Sequence, residues 1–321
     1  MLRALRLCLL LRAAGGTAVR IEPYGAHSFR VRVAAPGDSV RDDTITALLP
    51  GAPPDAPAAP TAAAAARGST QQVNGNLQVE TLPGGGRRFT RVSDGLHLLT
   101  ESSLAFWAPL PSHSLHQLNA TFDVGSAELY GLGQHRQACY PTGGAQTPPL
   151  LRTFTPGSLV HLDLARGEGG AANTLPWLTS ASADAGGATF GFWLNNPAMG
   201  GVDFDATDDS NRTMHWQLAA AAQLDYIVTT TSPTAIADGT TAFQLLEHFV
   251  SWVGRSPGLP EWALGYWHCK NRYASQAELL AAAHGFANRS IPVDLIIIDW
   301  SKNHSEFIGV CRVTATVVQS H

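Results

Sequence analysis

The periodicity of the apolar residues changes once along this chain, near Thr241, and that change limits the fold more than any other feature. Up to about residue 240 the pattern is one of short strands and turns. Phe29, Val31 and Val33 alternate with Arg30 and Arg32, the period-2 signature of a half-buried strand. Arg88 to Val92 and Leu96 to Leu99 flank Asp94-Gly95, a hairpin signal. Ala188 to Leu194 runs into Asn195-Asn196-Pro197, and Leu224 to Thr231 reads as a further strand. No long helical period interrupts them, which predicts a sandwich or barrel. Pro50 to Arg67 is rich in Ala and Pro and nearly free of large apolar residues, so it reads as a flexible insertion between strands.

From Thr241 onward the pattern is different. Phe243, Leu246, Phe249 and Val250 fall on one face of a helix running to Val253. Pro257-Gly258-Leu259-Pro260 reads as a linker, and Trp262 to Trp267 as a short strand. Ser275-Gln276-Ala277-Glu278 is a capping box, with Leu279, Leu280, Ala283 and Phe286 continuing an apolar face. Ser290-Ile291-Pro292 stops that helix. Leu295 to Ile298 is an unbroken apolar run, as expected of a parallel strand buried on both faces. The sum is a strand–helix–strand unit with a right-handed crossover.

Composition excludes several classes. With 45% apolar and 14% charged residues, the chain can build a core and is not globally disordered. A net charge of −4 leaves no basic field for a nucleic acid backbone. No apolar run reaches the length of a membrane span. The start, Met1 to Ala14, has only the short run Leu7–Leu11 between Arg6 and Arg12, which is short for a signal sequence. Cys8, Cys139, Cys269 and Cys311 are scattered without metal spacing and read as buried free thiols. His113 and His116 sit on a Pro-flanked stretch, so no metal site is implied. Sequons occur at Asn119, Asn211, Asn288 and Asn303.

Asp299 follows the last apolar strand directly. In parallel α/β and barrel folds the strand C-termini carry the site. An Asp there can equally cap the next turn. Trp300 beside it suits a sugar ring, with its apolar face and hydroxyl edges, or else packs in a core.

Several segments resemble glycoside hydrolase family 31. Leu129-Tyr130-Gly131-Leu132-Gly133-Gln134-His135 is similar to its YGLG[EQ] signature. Phe190 to Pro197, Gln223-Leu224-Asp225-Tyr226 and Leu259 to Trp267 resemble further family segments, in the family's order. Arg272-Tyr273, Glu278 to Leu280 and Ile291 to Trp300 resemble the first βαβ of its barrel. The resemblance implies a β-rich α+β chain: a galactose-mutarotase-like β-sandwich followed by an incomplete (β/α)8 TIM barrel. The implied division is an unstructured or weakly signal-like start at 1–16 and the sandwich at 17–240. A linker helix and loop follow at 241–260, then the first βαβ at 261–300 and a non-family tail at 301–321.

The family contains α-glucosidases, α-xylosidases and α-glucan lyases, and "GLGQH" with "IIIDW" looks more like the α-xylosidase branch. By resemblance, Asp299 hydrogen-bonds the sugar in the −1 subsite and Trp300 lines it. No cofactor is implied, because retaining hydrolysis uses two carboxylates about 5–5.5 Å apart. No residue here matches either one, and Glu306, the only carboxylate beyond Trp300, has no supporting motif. The reading is therefore a truncated, catalytically inactive member whose partner is an α-linked glucose or xylose glycoside. The alternatives are a carbohydrate-binding sandwich, with Trp177, Trp193 and Trp216 as candidate platforms set against a core role, and a non-functional fragment. Mutarotase activity lacks an identifiable His/Glu pair.

Overall fold

A computed structural model describes residues 17–51, 71–109, 114–133, 159–163, 174–182, 187–208, 211–270 and 273–298. The Pro50–Arg67 insertion from residue 52 on, His113, Arg272, Asp299, Trp300, Glu306, Cys8, Cys139, Cys311 and Asn303 lie outside these residues. Two compact units divide between Arg255 and Ser256.

The first unit is two antiparallel sheets. Its strands, in chain order, are β1 (Val19–Pro23), β2 (Ser28–Ala34), β3 (Gln71–Asn74), β4 (Leu77–Thr81), β5 (Arg87–Arg91), β6 (His97–Pro109) and β7 (His116–Gly125). They continue with β8 (Glu128–Gly133), β9 (Leu159–Asp163), β10 (Thr174–Ser182), β11 (Gly187–Leu194), β12 (Gly200–Asp208), β13 (Asn211–Ala221) and β14 (Gln223–Thr230). One sheet has the order β1-β2-β14-β11-β10-β8, the other β3-β4-β5-β6-β7-β13-β12-β9.

The sheets share one core. Phe29, Val31 and Val33 of β2 point into it, as the alternation predicts, together with Phe89, Phe122, Phe190, Phe192, Trp216 and Tyr226. Phe122 meets Phe192 and Tyr226 edge-on at 5.0 and 5.1 Å between ring centroids, joining the two sheets. The Asp94-Gly95 hairpin forms between β5 and β6, with Gly95 at φ 71° and the Asp94 carboxylate accepting from Leu96 N–H.

The core also encloses charge. Arg87 and Glu101 lie directly opposite each other on β5 and β6, both buried. Arg87 Nε donates to Glu101 Oε2 at 2.8 Å, and a second arginine nitrogen reaches Oε1. Tyr226, on the other sheet, donates its hydroxyl to Glu101 Oε2 at 2.5 Å. Burial, reinforced by the Glu101 charge, pushes that hydroxyl well above its ordinary 10.0, so it stays a donor.

The outer face of β2 differs from the half-exposed expectation. Arg32 is buried, held by Glu22, Asp42 and the Arg41 carbonyl. Arg30 makes a two-point pair with Asp225 at 2.6 and 3.0 Å. The arginines alternate outward, but the 41–42 segment and β14 cover them.

Two helices complete this unit: α1 (Pro233–Ala237), capped by Ser232, and α2 (Thr241–Val253). The helix expected from Phe243 to Val253 is present, but a different stripe is buried: Thr241, Leu245, Phe249 and Trp252. Phe243 is 77% exposed. The tryptophans of the sheet decide the face. Phe249 stacks on Trp177 at 4.7 Å and lies 5.2 Å from Trp193. Trp177 can lie flat because Gly191 leaves room; a Cβ there would stand 2.2 Å from Trp177 Cη2.

The second unit begins with a 3-10 turn, Glu261–Leu264, where a strand from Trp262 was expected. Pro260 enters that turn extended, and the strand, β15, starts only at Trp267 and runs to Lys270. Helix α3 (Gln276–Ala287) and strand β16 (Leu295–Ile298) follow. β15 and β16 pair in parallel, Trp267 opposite Leu295 and Lys270 opposite Ile298. β16 is half-buried rather than buried on both faces, and α3 buries no residue. Cys269 is exposed, against the expectation of burial. No described helix is long and apolar enough to cross a membrane.

Replacing Glu101 by Gln leaves the Arg87 charge sealed without its partner. Urea unfolding is expected to show a loss of about 3–5 kcal/mol, against about 1–2 kcal/mol for Tyr226→Phe. A loss for Glu101→Gln within the range of an exposed pair, under about 1 kcal/mol, would contradict a sealed site. Gly191→Ala is expected to cost about 1–3 kcal/mol by displacing Trp177, read by the same assay with tryptophan emission.

Candidate functional site

In a parallel strand–helix–strand unit the chemistry sits beyond the C-terminal strand ends, where the connecting loops gather. Here that end is marked by the paired residues Lys270 and Ile298. Asp299 is next in sequence after Ile298, and both it and Trp300 lie outside the described residues.

The described side chains at this end form a small polar frame. Lys270 Nζ ion-pairs with Glu278 and stands 5.9 Å over the Tyr273 ring. The Ser275 half of the capping box forms as the sequence predicts, Ser275 Oγ accepting from Glu278 N–H at 3.3 Å, while the return bond goes one residue further back. Glu278 reaches back to Ala274 N–H at 2.7 Å. Its carboxylate therefore holds the start of α3 and one lysine, a structural role. At the opposite end, Asp294 Oδ2 accepts from Tyr266 N–H at 3.0 Å and so ties the starts of β15 and β16. Asp294 N–H in turn donates to the Tyr266 carbonyl at 3.0 Å. Gly265 makes room for that carboxylate, since a Cβ there would stand 1.9 Å from Oδ2.

The sandwich offers no free buried acid among the described residues. Glu101 is held by Arg87, and Asp225 by Arg30 and by Asn195 Nδ2 at 2.7 Å. No group of three or more metal-ligating side chains is found among the described residues. His116 bridges the Trp107 carbonyl and Asp38 at 2.9 Å each. Trp177, Trp193 and Trp216 are 7%, 4% and 0% exposed, so all three are core residues and none presents a platform.

The segments that carry the family resemblance do structural work in this unit. Asn195 N–H donates to the Asp225 carbonyl at 2.9 Å, and Asp225 N–H donates to Asn196 Oδ1 at 3.0 Å. Asn196 Nδ2 reaches the Gln223 carbonyl at 2.9 Å. The Asn195-Asn196 and Gln223–Tyr226 segments are thus two halves of one hydrogen-bonded joint. Gly131 and Gly133 take φ 134° and 83°, and a Cβ on Gly131 would stand 2.2 Å from the Trp177 carbonyl. Tyr130 donates to Glu128 at 2.5 Å, a bond that pushes its pKa up to about 12. Reading the sequence did not find the Arg30–Asp225 clamp, although the outward-alternating arginines of β2 were its visible sign.

Comparisons with known proteins agree with this architecture. Residues 256–311 match the sequence model of the glycosyl hydrolases family 31 TIM-barrel domain. An uncharacterized family 31 glucosidase of Pseudescherichia vulneris is 26% identical over 193 residues, 60% of this chain and 30% of that one. An alpha-xylosidase of Saccharolobus solfataricus is 26% identical over 188 residues, covering 58% and 22%. Alpha-xylosidase A of Aspergillus niger is 32% identical over 111 residues, covering 35% and 14%. Among solved structures, a xylosidase from Aspergillus niger aligns over 88% of this chain and 38% of its own, with a TM-score of 0.63 at 21% identity. A glucosidase II alpha subunit aligns over 88% and 37%, with a TM-score of 0.54 at 12% identity. Over most of its length the chain thus shares the fold of these solved structures. In sequence, the chain is similar to these family 31 proteins, and its matched barrel segment is that family's. It spans less than a third of the length of these curated relatives.

Ser275→Ala removes the cap of α3. The amides of its first turn are expected to exchange faster by native-state hydrogen exchange, with a loss of about 1 kcal/mol local to that helix. Unchanged exchange would show that the cap contributes nothing there.

Proposed function

We propose that this chain is the amino-terminal part of a family 31 α-glycosidase, a lineage that hydrolyses O-glycosyl bonds of α-xylosides or α-glucosides. The observation that carries this reading is the parallel β15–α3–β16 unit, which lies within the matched barrel segment and runs straight into Asp299-Trp300. The xylosidase and glucosidase names of the relatives support the substrate class. In this reading the two-sheet unit is the galactose-mutarotase-like sandwich and the second unit opens the (β/α)8 barrel. Asp299 accepts hydrogen bonds from sugar hydroxyls, and Trp300 lines the same subsite.

Retention needs a nucleophile and an acid/base about 5–5.5 Å apart. Glu278 and Asp294 are committed to holding secondary structure, and Glu101 and Asp225 to arginines. No residue of the sequence matches the resembled family's nucleophile or acid/base, and on that ground the 321-residue polypeptide by itself is read as a non-hydrolysing chain of this lineage.

Purified chain is expected to release no nitrophenol from nitrophenyl α-xyloside or α-glucoside; turnover above a heat-denatured control would overturn the inactivity. Saturation-transfer NMR with methyl α-xyloside and methyl α-glucoside tests the subsite. A signal lost in Asp299→Ala supports the sugar contact. A signal that persists in the variant, or none in the wild type, removes it.

A further inference from the structure

The two sheets meet at one end through a pair of turns. The turn between β1 and β2 places Gly25 at φ 83° and His27 at φ 56°, a left-handed conformation uncommon for a residue other than glycine. The β3–β4 turn lies against it. Asn74 Nδ2 donates to the carbonyls of Gly25 and Ser28, both at 2.7 Å. Asn76 N–H donates to His27 Nδ1 at 2.7 Å. Asn76 Nδ2 reaches the Thr231 carbonyl at 2.7 Å, and Asn76 Oδ1 accepts from Ser93 N–H at 2.8 Å. His27's own carbonyl accepts from Thr230 N–H at 3.0 Å. Gly75 lets the ring approach, since a Cβ at that position would stand 2.3 Å from His27 Nδ1.

The bond to Nδ1 dictates the protonation state. A backbone N–H is a donor only, so Nδ1 must be the unprotonated nitrogen and Nε2 must carry the proton. A second proton on Nδ1 sets two donors against each other and breaks the bond. Rotating the ring by half a turn does not restore it, because a C–H would then face Asn76.

We propose that His27 is a proton-sensitive latch between the two sheets, closed when its imidazole is neutral and opened by acid. Among the described residues, the titratable group facing it is His248 of α2, whose ring centroid lies 6.1 Å away and whose Nδ1 meets Thr229 Oγ1 at 2.7 Å. The other neighbours on β2, β3 and β14 are Ser28, Asn74 and Thr229, which are uncharged. Burial holds the His27 pKa below its ordinary 6.5 in the folded chain. The folded state therefore favours the neutral ring. The stability it contributes is complete above the unfolded value near 6.5 and is lost as pH falls toward the folded value.

The test is on the full chain. Two-dimensional 15N NMR of the histidines, with His27 assigned by its absence in His27→Asn, is expected to show Nδ1 unprotonated and titration below 6.5. Asn tolerates the left-handed backbone and offers a carbonyl acceptor that does not titrate. Between about pH 7.5 and 5.5 the unfolding constant of the wild type is expected to rise roughly three- to tenfold more than that of His27→Asn. His248→Gln should keep the wild-type response. A proton on Nδ1 at neutral pH, or titration at or above 6.5, overturns the latch on the wild type alone. Equal pH responses of wild type and His27→Asn overturn it independently.

Discussion

An arginine and a glutamate sealed between two sheets set the terms for the larger unit. Arg87 and Glu101 face each other across β5 and β6, and Tyr226 approaches from the opposite sheet. Neither charge has water to turn to, so each depends on the other's geometry. A one-residue slip of β5 would send Arg87 to the solvent face and leave Glu101 alone. The aromatic rings around Tyr226 then have to pack where that hydroxyl is held. Register, sheet spacing and ring packing thus converge on one carboxylate.

The same economy appears on the outer face. Asp225 gathers Arg30, Asn195 and, through its main chain, Asn196. Gly191 seats Trp177, and Trp177 seats α2 through Phe249. The Asn195-Asn196 and Gln223–Tyr226 segments, which carry part of the family resemblance, are therefore joints of the scaffold.

How much could be read in advance follows from the range of each interaction. The inward apolar side of β2, the Asp94-Gly95 hairpin and the Ser275 cap are decided by near neighbours, and all three appear as read. The buried stripe of α2 was misjudged, because Phe243 and Leu245 are equally apolar and only the distant Trp177 and Trp193 choose between them. Arg32 looked solvent-facing because its cover, the 41–42 segment, is not in its own strand. Trp262 read as strand because its apolar neighbours mimic one, whereas Pro260 and the turn after it set the local backbone. Asp299 and Trp300 rest on topology and resemblance, since only the strand leading to them is described.

The pairing of β2 with β14 has a consequence for the way the chain is made. Ser28 meets Thr229 across the sheet, 201 residues apart in the chain. On a ribosome adding roughly 5–20 residues per second, β2 waits on the order of 10–40 s for that partner. During the wait the apolar face of β2 has only β1, itself a strand of five residues, as a sheet neighbour. The β3–β7 meander, whose successive strands pair with one another, is complete long before then. Synthesis thus yields the five-stranded meander early, whereas β13, which extends it, and β14, which joins β2 to the rest of the other sheet, emerge one after the other just ahead of helix α2.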